Sequence, residues 1–397
     1  MTLFRPADEK QIAEAVAWAA NSTQRLEIVA GGSKRGFGRP VRAEHTLDVS
    51  GLSGIVNYEA AELVLTARPA TPLATIEAEL AARRQMLAFE PPCWRALLAS
   101  DAEAEPTLGG VVACNLAGPR RVRAGAPRDL LLGFSAVNGA GEVWKAGGKV
   151  VKNVTGYDMS KLLAGSFGTL SVLTEITLKV APRPETECTL LVSGLGNAAA
   201  IAAMAKALNT PFEVSSVAHL PAAAAQRAVT AFRLEGPAPS VAYRVEAVEK
   251  LLGRGARLDT AASAKFWADV GEVAPLLPLE NRIVWRLCPT PSLAAAVFDE
   301  VAGRLATAEA LFDWGGGLVW LSVEASEAGA DGGAAIVRAA MKPRGGHATL
   351  VVASEATRER VAVFEPEEGP LAALSARVKA GLDPVGVLNP GRMREGL

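Results

Sequence analysis

Twice in its first 120 residues the sequence places two glycines side by side at the mouth of an ordered segment: Gly31-Gly32, directly after the apolar run Leu26-Glu-Ile-Val-Ala30, and Gly109-Gly110, after Thr107-Leu108. Paired glycines weaken helices and strands, and they suit places where the backbone turns sharply or lies close against something else. Two such junctions predict two loops whose amides can close on an anion, and a pyrophosphate is large enough to engage several. Each charge-assisted bond contributes about 1.5–3 kcal/mol, so a few anchor a dinucleotide without a metal. Lys34 and Arg35 add positive charge beside the first loop.

Spacing narrows the nucleotide classes. No Lys-Ser/Thr pair follows Gly36, so the P-loop pattern fails. The glycines do not fall at G-x-G-x-x-G, and no acidic residue closes the next strand at the right distance, so the Rossmann fingerprint fails too. A P-loop ATPase and a nicotinamide-dependent Rossmann enzyme are both disfavoured.

At 397 residues the chain is too long for one compact core, and two domains are expected. A net charge of −1 lacks the basic excess of a nucleic-acid binder. No apolar run approaches the roughly 20 residues of a membrane span, and Arg5, Asp8 and Glu9 interrupt any secretory leader. The expected location is the cytoplasm, with peripheral docking on the inner face of the cell membrane through a complex left open. Cys93, Cys114, Cys188 and Cys288 form no iron–sulfur spacing, and His45, His219 and His347 form no metal pair. No metal is expected.

Along the chain, Ile12, Ala15, Val16 and Ala19 recur at helical spacing behind Asp8 and Glu9. Strands are expected at 26–30, 46–49 and 63–67, and Thr71 and Pro72 suit the N-cap and first turn of a helix carrying Ile76 and Leu80. Asn138-Gly139 reads as a hairpin turn. Asp158 caps a short helix that Gly165 ends, and Leu170 to Val180 alternate as a half-buried strand. Pro182-Arg-Pro184 marks a boundary. Beyond it, helices are expected at 197–208, 292–306 and 331–341, and strands at 241–247, 283–287, 318–323 and 347–353. That alternation suits helices on one face of an antiparallel sheet. A last amphipathic helix covers 371–381.

Taken together, the loops resemble the FAD-binding domain of the vanillyl-alcohol oxidase and p-cresol methylhydroxylase superfamily. The stretch Gly147-Gly-Lys-x-x-Lys-Asn-x-x-Gly-Tyr-Asp158, then Lys161-Leu-x-x-Gly-Ser-x-Gly-Thr-Leu170 and Thr174-Glu-Ile-Thr-Leu-Lys179, is similar to its lactate and glycolate dehydrogenase branch. Phe89-Glu-Pro-Pro92, Asp313-Trp-x-Gly-Gly317 and Asn389-Pro-Gly-Arg-Met393 resemble the FAD-binding subunits of bacterial glycolate oxidases. The resemblance implies an α+β protein: a two-subdomain FAD-binding domain over 1–182, a cap with an antiparallel sheet over 183–370, and a segment over 371–397 returning to the first domain. It implies FAD held by Ala30, Gly31, Gly32, Ser33, Lys34, Thr107, Gly109, Gly110, Asn115, Gly118, Ile176 and Asn389. It also implies oxidation of a small 2-hydroxy acid, glycolate to glyoxylate, with electrons passing to a paralogous flavoprotein subunit and an iron–sulfur subunit.

The chain departs from this pattern in the cap. The histidine-rich metal motif and the C-terminal Glu-His pair of catalytic paralogues are missing, and His347 reads as an isolated core or surface histidine. A flavin or assembly subunit, with oxidation confined to the paralogue, therefore stays open, as does a stand-alone FAD oxidase of another hydroxylated substrate. No histidine adjoins the first glycine loop, so non-covalent FAD is expected. Arg286 and Arg282 are the candidates to meet a carboxylate. The cluster Arg120, Arg121, Arg123 and Arg128 suits FAD phosphates, a partner or a solvated loop.

Overall fold

The computed structural model describes residues 2–148, 156–222, 224 and 227–396. Lys149, Lys152 and Asn153 of the glycine-lysine motif lie outside them.

The first half carries two sheets. Thr2–Phe4, His45–Asp48 and Leu26–Val29 form a parallel three-stranded sheet, with His45–Asp48 in the middle. The helix Glu9–Asn21 buries Ile12, Val16 and Ala19, and the Asp8 side chain caps it by accepting from the Gln11 amide. The second sheet is antiparallel, in the order Ile55–Glu59, Val64–Ala67, Ser171–Lys179, Leu131–Asn138, Val143–Gly147. Its hairpin turns where Asn138-Gly139 predicts, with Asn138 Oδ1 accepting from the Ala140 and Glu142 amides. The returning C-terminal segment lies beside Leu26–Val29: the Leu26 amide donates to the Val387 carbonyl at 2.8 Å, and the Asn389 amide to the Leu26 carbonyl at 2.9 Å.

The second half is one eight-stranded antiparallel sheet, ordered Ala256–Leu258, Thr186–Ser193, Val229–Gly236, Ser216–Leu220, Glu309–Asp313, Leu318–Glu324, Arg282–Cys288, His347–Val352. Along Arg282–Cys288 the side chains alternate: Ile283, Trp285 and Leu287 pack under helices, whereas Val284 joins the core shared with the first half. That shared core brings Leu311, Leu318 and Trp320 against Phe37, Phe89 and Trp94. At about 1.5–3 kcal/mol per buried side chain, the contact is a principal source of stability. Polar ties reinforce it. Buried Arg233 donates to both Glu90 oxygens at 2.8 and 2.7 Å, and the Glu272 carboxylate accepts from the Cys93 and Trp94 amides.

Three local expectations are corrected. The segment 241–247 is helix, inside Ala238–Leu252: Val241, Val245 and Val248 all face inward, a helical spacing that overrides their β propensity. Thr71 does not cap the next helix, which starts at Leu73 after Pro72; its hydroxyl is engaged by the Arg68 carbonyl and the Gly54 amide. The helix expected over 292–306 is shorter, Ala294–Ala302 behind a 3-10 turn.

Candidate cofactor site

The two glycine loops meet. The Glu105 amide donates to the Gly31 carbonyl at 2.8 Å, and Gly32 bridges Glu105 in parallel register. They form one wall of a cleft lined also by Ala30, Ser33, Thr107, Ser166–Gly168, Ser171–Leu173, Asn389 and Arg392.

Within each pair the glycines divide the work. A Cβ on Gly31 would sit 2.0 Å from the Glu105 carbonyl oxygen, and one on Gly109 would sit 2.7 Å from Pro69 Cβ. These two are glycines because the protein packs against itself there. Gly32, at φ +74°, has nothing within 4 Å of its Cβ position, and Gly110 meets only Thr107 Oγ1 at 3.4 Å and Lys34 Cγ at 4.0 Å. Those two leave room for a ligand to approach the backbone. Thr107 Oγ1 accepts from the Gly110 amide and starts the helix Leu108–Cys114.

Charge in the cleft comes from an unexpected source. The Lys34 amine turns inward to Ser33 Oγ and the Cys93 carbonyl, and burial lowers its pKa. Arg35 is clasped by Glu27. Arg392 instead lines the cleft, almost wholly buried, with its guanidinium donating to the Lys34 carbonyl at 2.8 Å. It has no carboxylate partner among the described residues, and burial pulls its pKa down. A buried cation without an anion fits a phosphate group. The Cys114 thiol also lines the cleft, but burial pushes its pKa up to about 11 and keeps it protonated.

Several expected contacts fall elsewhere. Ile176 is fully buried, and its strand pairs on both sides, opposite Ala67 and Phe134, so the backbone is occupied. The start of the same strand, Ser171 to Leu173, faces the cleft instead. Asn115 adopts φ 51° at the end of its helix, where its Oδ1 accepts from the Arg128 amide. Gly118 packs under Glu90, and its carbonyl accepts from the Trp314 indole. Neither lines the cleft. Asn389 does, but its amide is a staple, with Oδ1 accepting from the Ile28 amide and Nδ2 donating to the Phe167 carbonyl.

The two cap arginines differ sharply. Arg282 is tied to Ser322 Oγ and the Thr307 carbonyl and lies 3.7 Å from Glu309. Arg286 faces the first half and rests over the Trp314 indole. Of the histidines, His219 is fully buried between Thr230 and Asn197, and His45 binds Gln24 within an aromatic group with Phe4 and Trp18.

A two-loop cradle with open glycines and a lone buried arginine defines a flavoprotein that binds FAD. The FAD binding domain family matches residues 2–147. The fold is that of p-cresol methylhydroxylase, whose substrate-bound structure superposes with a TM-score of 0.73 at 15% identity, over 99% of this chain and 88% of that one. The chain belongs to the family of the glycolate oxidase subunit GlcE, being 37% identical to the Escherichia coli protein over 98% of its own length and 99% of the relative's. A shorter stretch, 38% of the chain, is 32% identical to 35% of the glycolate oxidase subunit GlcD of Bacillus subtilis.

Proposed function

We propose that this chain binds FAD non-covalently and serves as a subunit of a glycolate dehydrogenase, taking part in oxidation of glycolate to glyoxylate. Electrons leave through a paralogous flavoprotein subunit and an iron–sulfur subunit. The end-to-end correspondence with the E. coli glycolate oxidase subunit carries this reading. FAD, when bound, accepts the two electrons of the alcohol. The protein's part is to hold it: the amide at Gly32 takes the pyrophosphate, the bare Cα of Gly110 lets it come close to the loop, and Arg392 offsets its charge. Non-covalent attachment is the reading that the lining supports: among the described residues that line the cleft there is no histidine, and burial keeps the Cys114 thiol protonated. Residues 1–182 act as the FAD domain, 183–370 as its cap and 371–397 as the returning segment. Among the described residues no helix is long and apolar enough to cross a membrane.

A second reading confines substrate oxidation to the paralogue. It draws on the lack, among the described residues, of any cluster of three His, Cys, Asp or Glu placed to hold a metal. Flavin quantitation and single-turnover flavin reduction by glycolate in the purified chain separate the two. Bound flavin reduced by glycolate supports the first; bound flavin that stays oxidised supports the second; no flavin, even on co-expression with the partners, overturns both.

A further inference from the structure

The cap strands Thr186–Ser193 and Val229–Gly236 pair so that Glu187 stands directly opposite Glu235. Side chains opposite each other in an antiparallel pair lie side by side on one face of the sheet, and like charges there destabilise the pair. Glu187 and Glu235 turn toward the first half of the molecule and line a cavity walled by both halves. Glu90, Pro91 and Arg120 close it from the first half, and the helix Thr260–Gly271 from the cap. None of its lining residues lines the cofactor cleft. The two glutamates sit on the third and second strands of the cap sheet, whereas Arg286 sits on the seventh.

Five glutamates and three arginines line this cavity. Glu77 and Arg183 stand exposed at its mouth and attract each other. Inside, Arg233 takes both oxygens of Glu90, Arg120 lies 3.3 Å from Glu235 Oε1, and Glu272 accepts two backbone amides. Glu187 is left with the Ser263 hydroxyl as its polar contact, and no arginine or amide is hydrogen-bonded to it among the described residues. Burial raises its pKa, and the nearness of Glu235 and Glu90 adds to the rise. Three buried polar atoms here have no hydrogen-bond partner among the described residues: Glu187 Oε1, Glu235 Oε2 and Arg120 Nε. The Glu235 side chain is only 6% exposed, so its lone oxygen has no bulk water to turn to. Two carboxylates so placed hold either a proton or a cation between them.

The lining also says which cation. Among the described residues no three His, Cys, Asp or Glu are placed to hold a metal, and the excess of carboxylate repels an anion such as glycolate. A primary ammonium carries three N–H donors, enough for both lone oxygens and one acceptor more. Pro91, Pro92 and Trp267 offer its carbon chain an apolar wall. We propose that this cavity binds a small molecule through a primary ammonium group held between Glu187 and Glu235. Two sources carry that group. An α-amino acid would also give Arg120 Nε an acceptor in its carboxylate, whereas an aliphatic diamine would turn its second ammonium toward Glu77 at the mouth. Because both halves supply walls, the bound molecule ties them together.

Calorimetric titration of the purified chain with glycine and with putrescine, at neutral pH, tests this. Saturable binding of either supports the site, and the tighter of the two names the source. At about a hundred times its dissociation constant the ligand should raise the melting temperature by about 3–5 °C. Tetramethylammonium, a cation with no N–H, and acetate should leave it level at the same ionic strength. Glu187→Gln should weaken binding by about 10- to 150-fold. Ala264→Leu fills the exposed rim of the cavity without touching a charged group, so it should abolish binding and leave the melting temperature of the unliganded chain unchanged. That variant decides the matter if Glu187→Gln folds poorly. No binding of either amine, an equal shift with tetramethylammonium, or binding that survives both substitutions overturns the proposal. No flavin chemistry enters these readouts, so their outcome is independent of the proposed function.

Discussion

Replacing one glycine from each loop with alanine should separate folding from cofactor binding. In Gly31→Ala the new methyl must move away from the Glu105 carbonyl oxygen, which lies 2.0 Å from the Cβ position and is backbone. Relief opens the 2.8 Å bond from the Glu105 amide to the Gly31 carbonyl. Overpacking of this kind costs about 1–3 kcal/mol and the lost bond about 0.5–1.5. The sum is roughly 2–4 kcal/mol, which for a domain of this size lowers the melting temperature by about 5–15 °C. Gly110→Ala meets nothing closer than 3.4 Å and lies within the helix Leu108–Cys114. It should leave the melting temperature level or raise it, since alanine is the better helix former by about 1 kcal/mol. The same methyl projects into the cleft, so it should remove about one charge-assisted bond to the pyrophosphate and weaken FAD binding by roughly 10- to 150-fold. Circular dichroism melts and fluorescence titration with FAD read the two effects separately. A Gly110→Ala protein that binds FAD as tightly as the parent would refute the assignment of this glycine to the ligand face.

Other consequences are measurable. Arg392→Met should weaken FAD binding about tenfold or more, at a stability cost of about 0.5–1.5 kcal/mol for the lost bond to the Lys34 carbonyl; unchanged FAD titration would count against it. Glu90→Ala leaves buried Arg233 with Glu235 at 3.9 Å as its remaining ion pair and should cost about 2–3 kcal/mol in urea unfolding, most of which Glu90→Leu with Arg233→Met should restore. Burial holds the His219 pKa down at about 4. The unfolded chain therefore binds a proton that the native state refuses, and stability should fall by about 3 kcal/mol as pH drops from 6.5 to 4. A flatter acid limb in His219→Gln checks this. Asp313 works in the opposite direction. Burial raises its pKa to about 7 against the lowering pull of the Trp314 amide and Arg233, so its contribution weakens stability as pH rises from about 4 to 7. Asp313→Asn should be more stable than the parent at pH 8 and no more stable at pH 4.

The glycine pairs, the hairpin at Asn138, the acidic start of the first helix and the span of helix 197–208 were legible because each depends on neighbours within a few residues. The central cap strands Thr186–Ser193, Ser216–Leu220 and Val229–Gly236 were not. Their sheet is covered by helices on one face and by the first half on the other, so residues such as Ala231, Phe232 and Leu234 are buried without alternation. The site shows the same limit. Gly31 and Gly32 look identical in sequence, and only Glu105, more than seventy residues away, gives them different tasks. Arg392 was visible within the Asn-Pro-Gly-Arg-Met motif, but nothing local told its guanidinium from the other arginines. Ile176 was misplaced because membership of the right strand does not say which end of it reaches the cleft.

The staple formed by Asn389 also sets a timetable. It fastens the Ile28 amide, 361 positions earlier in the chain, and Arg392 fastens the Lys34 carbonyl, 358 positions earlier. While a ribosome is still making the cap, the first glycine loop already exists but lacks this wall and its cation. Tight loading of FAD must therefore wait until the cap and the returning segment have been made, so cofactor capture reports that synthesis has passed through both.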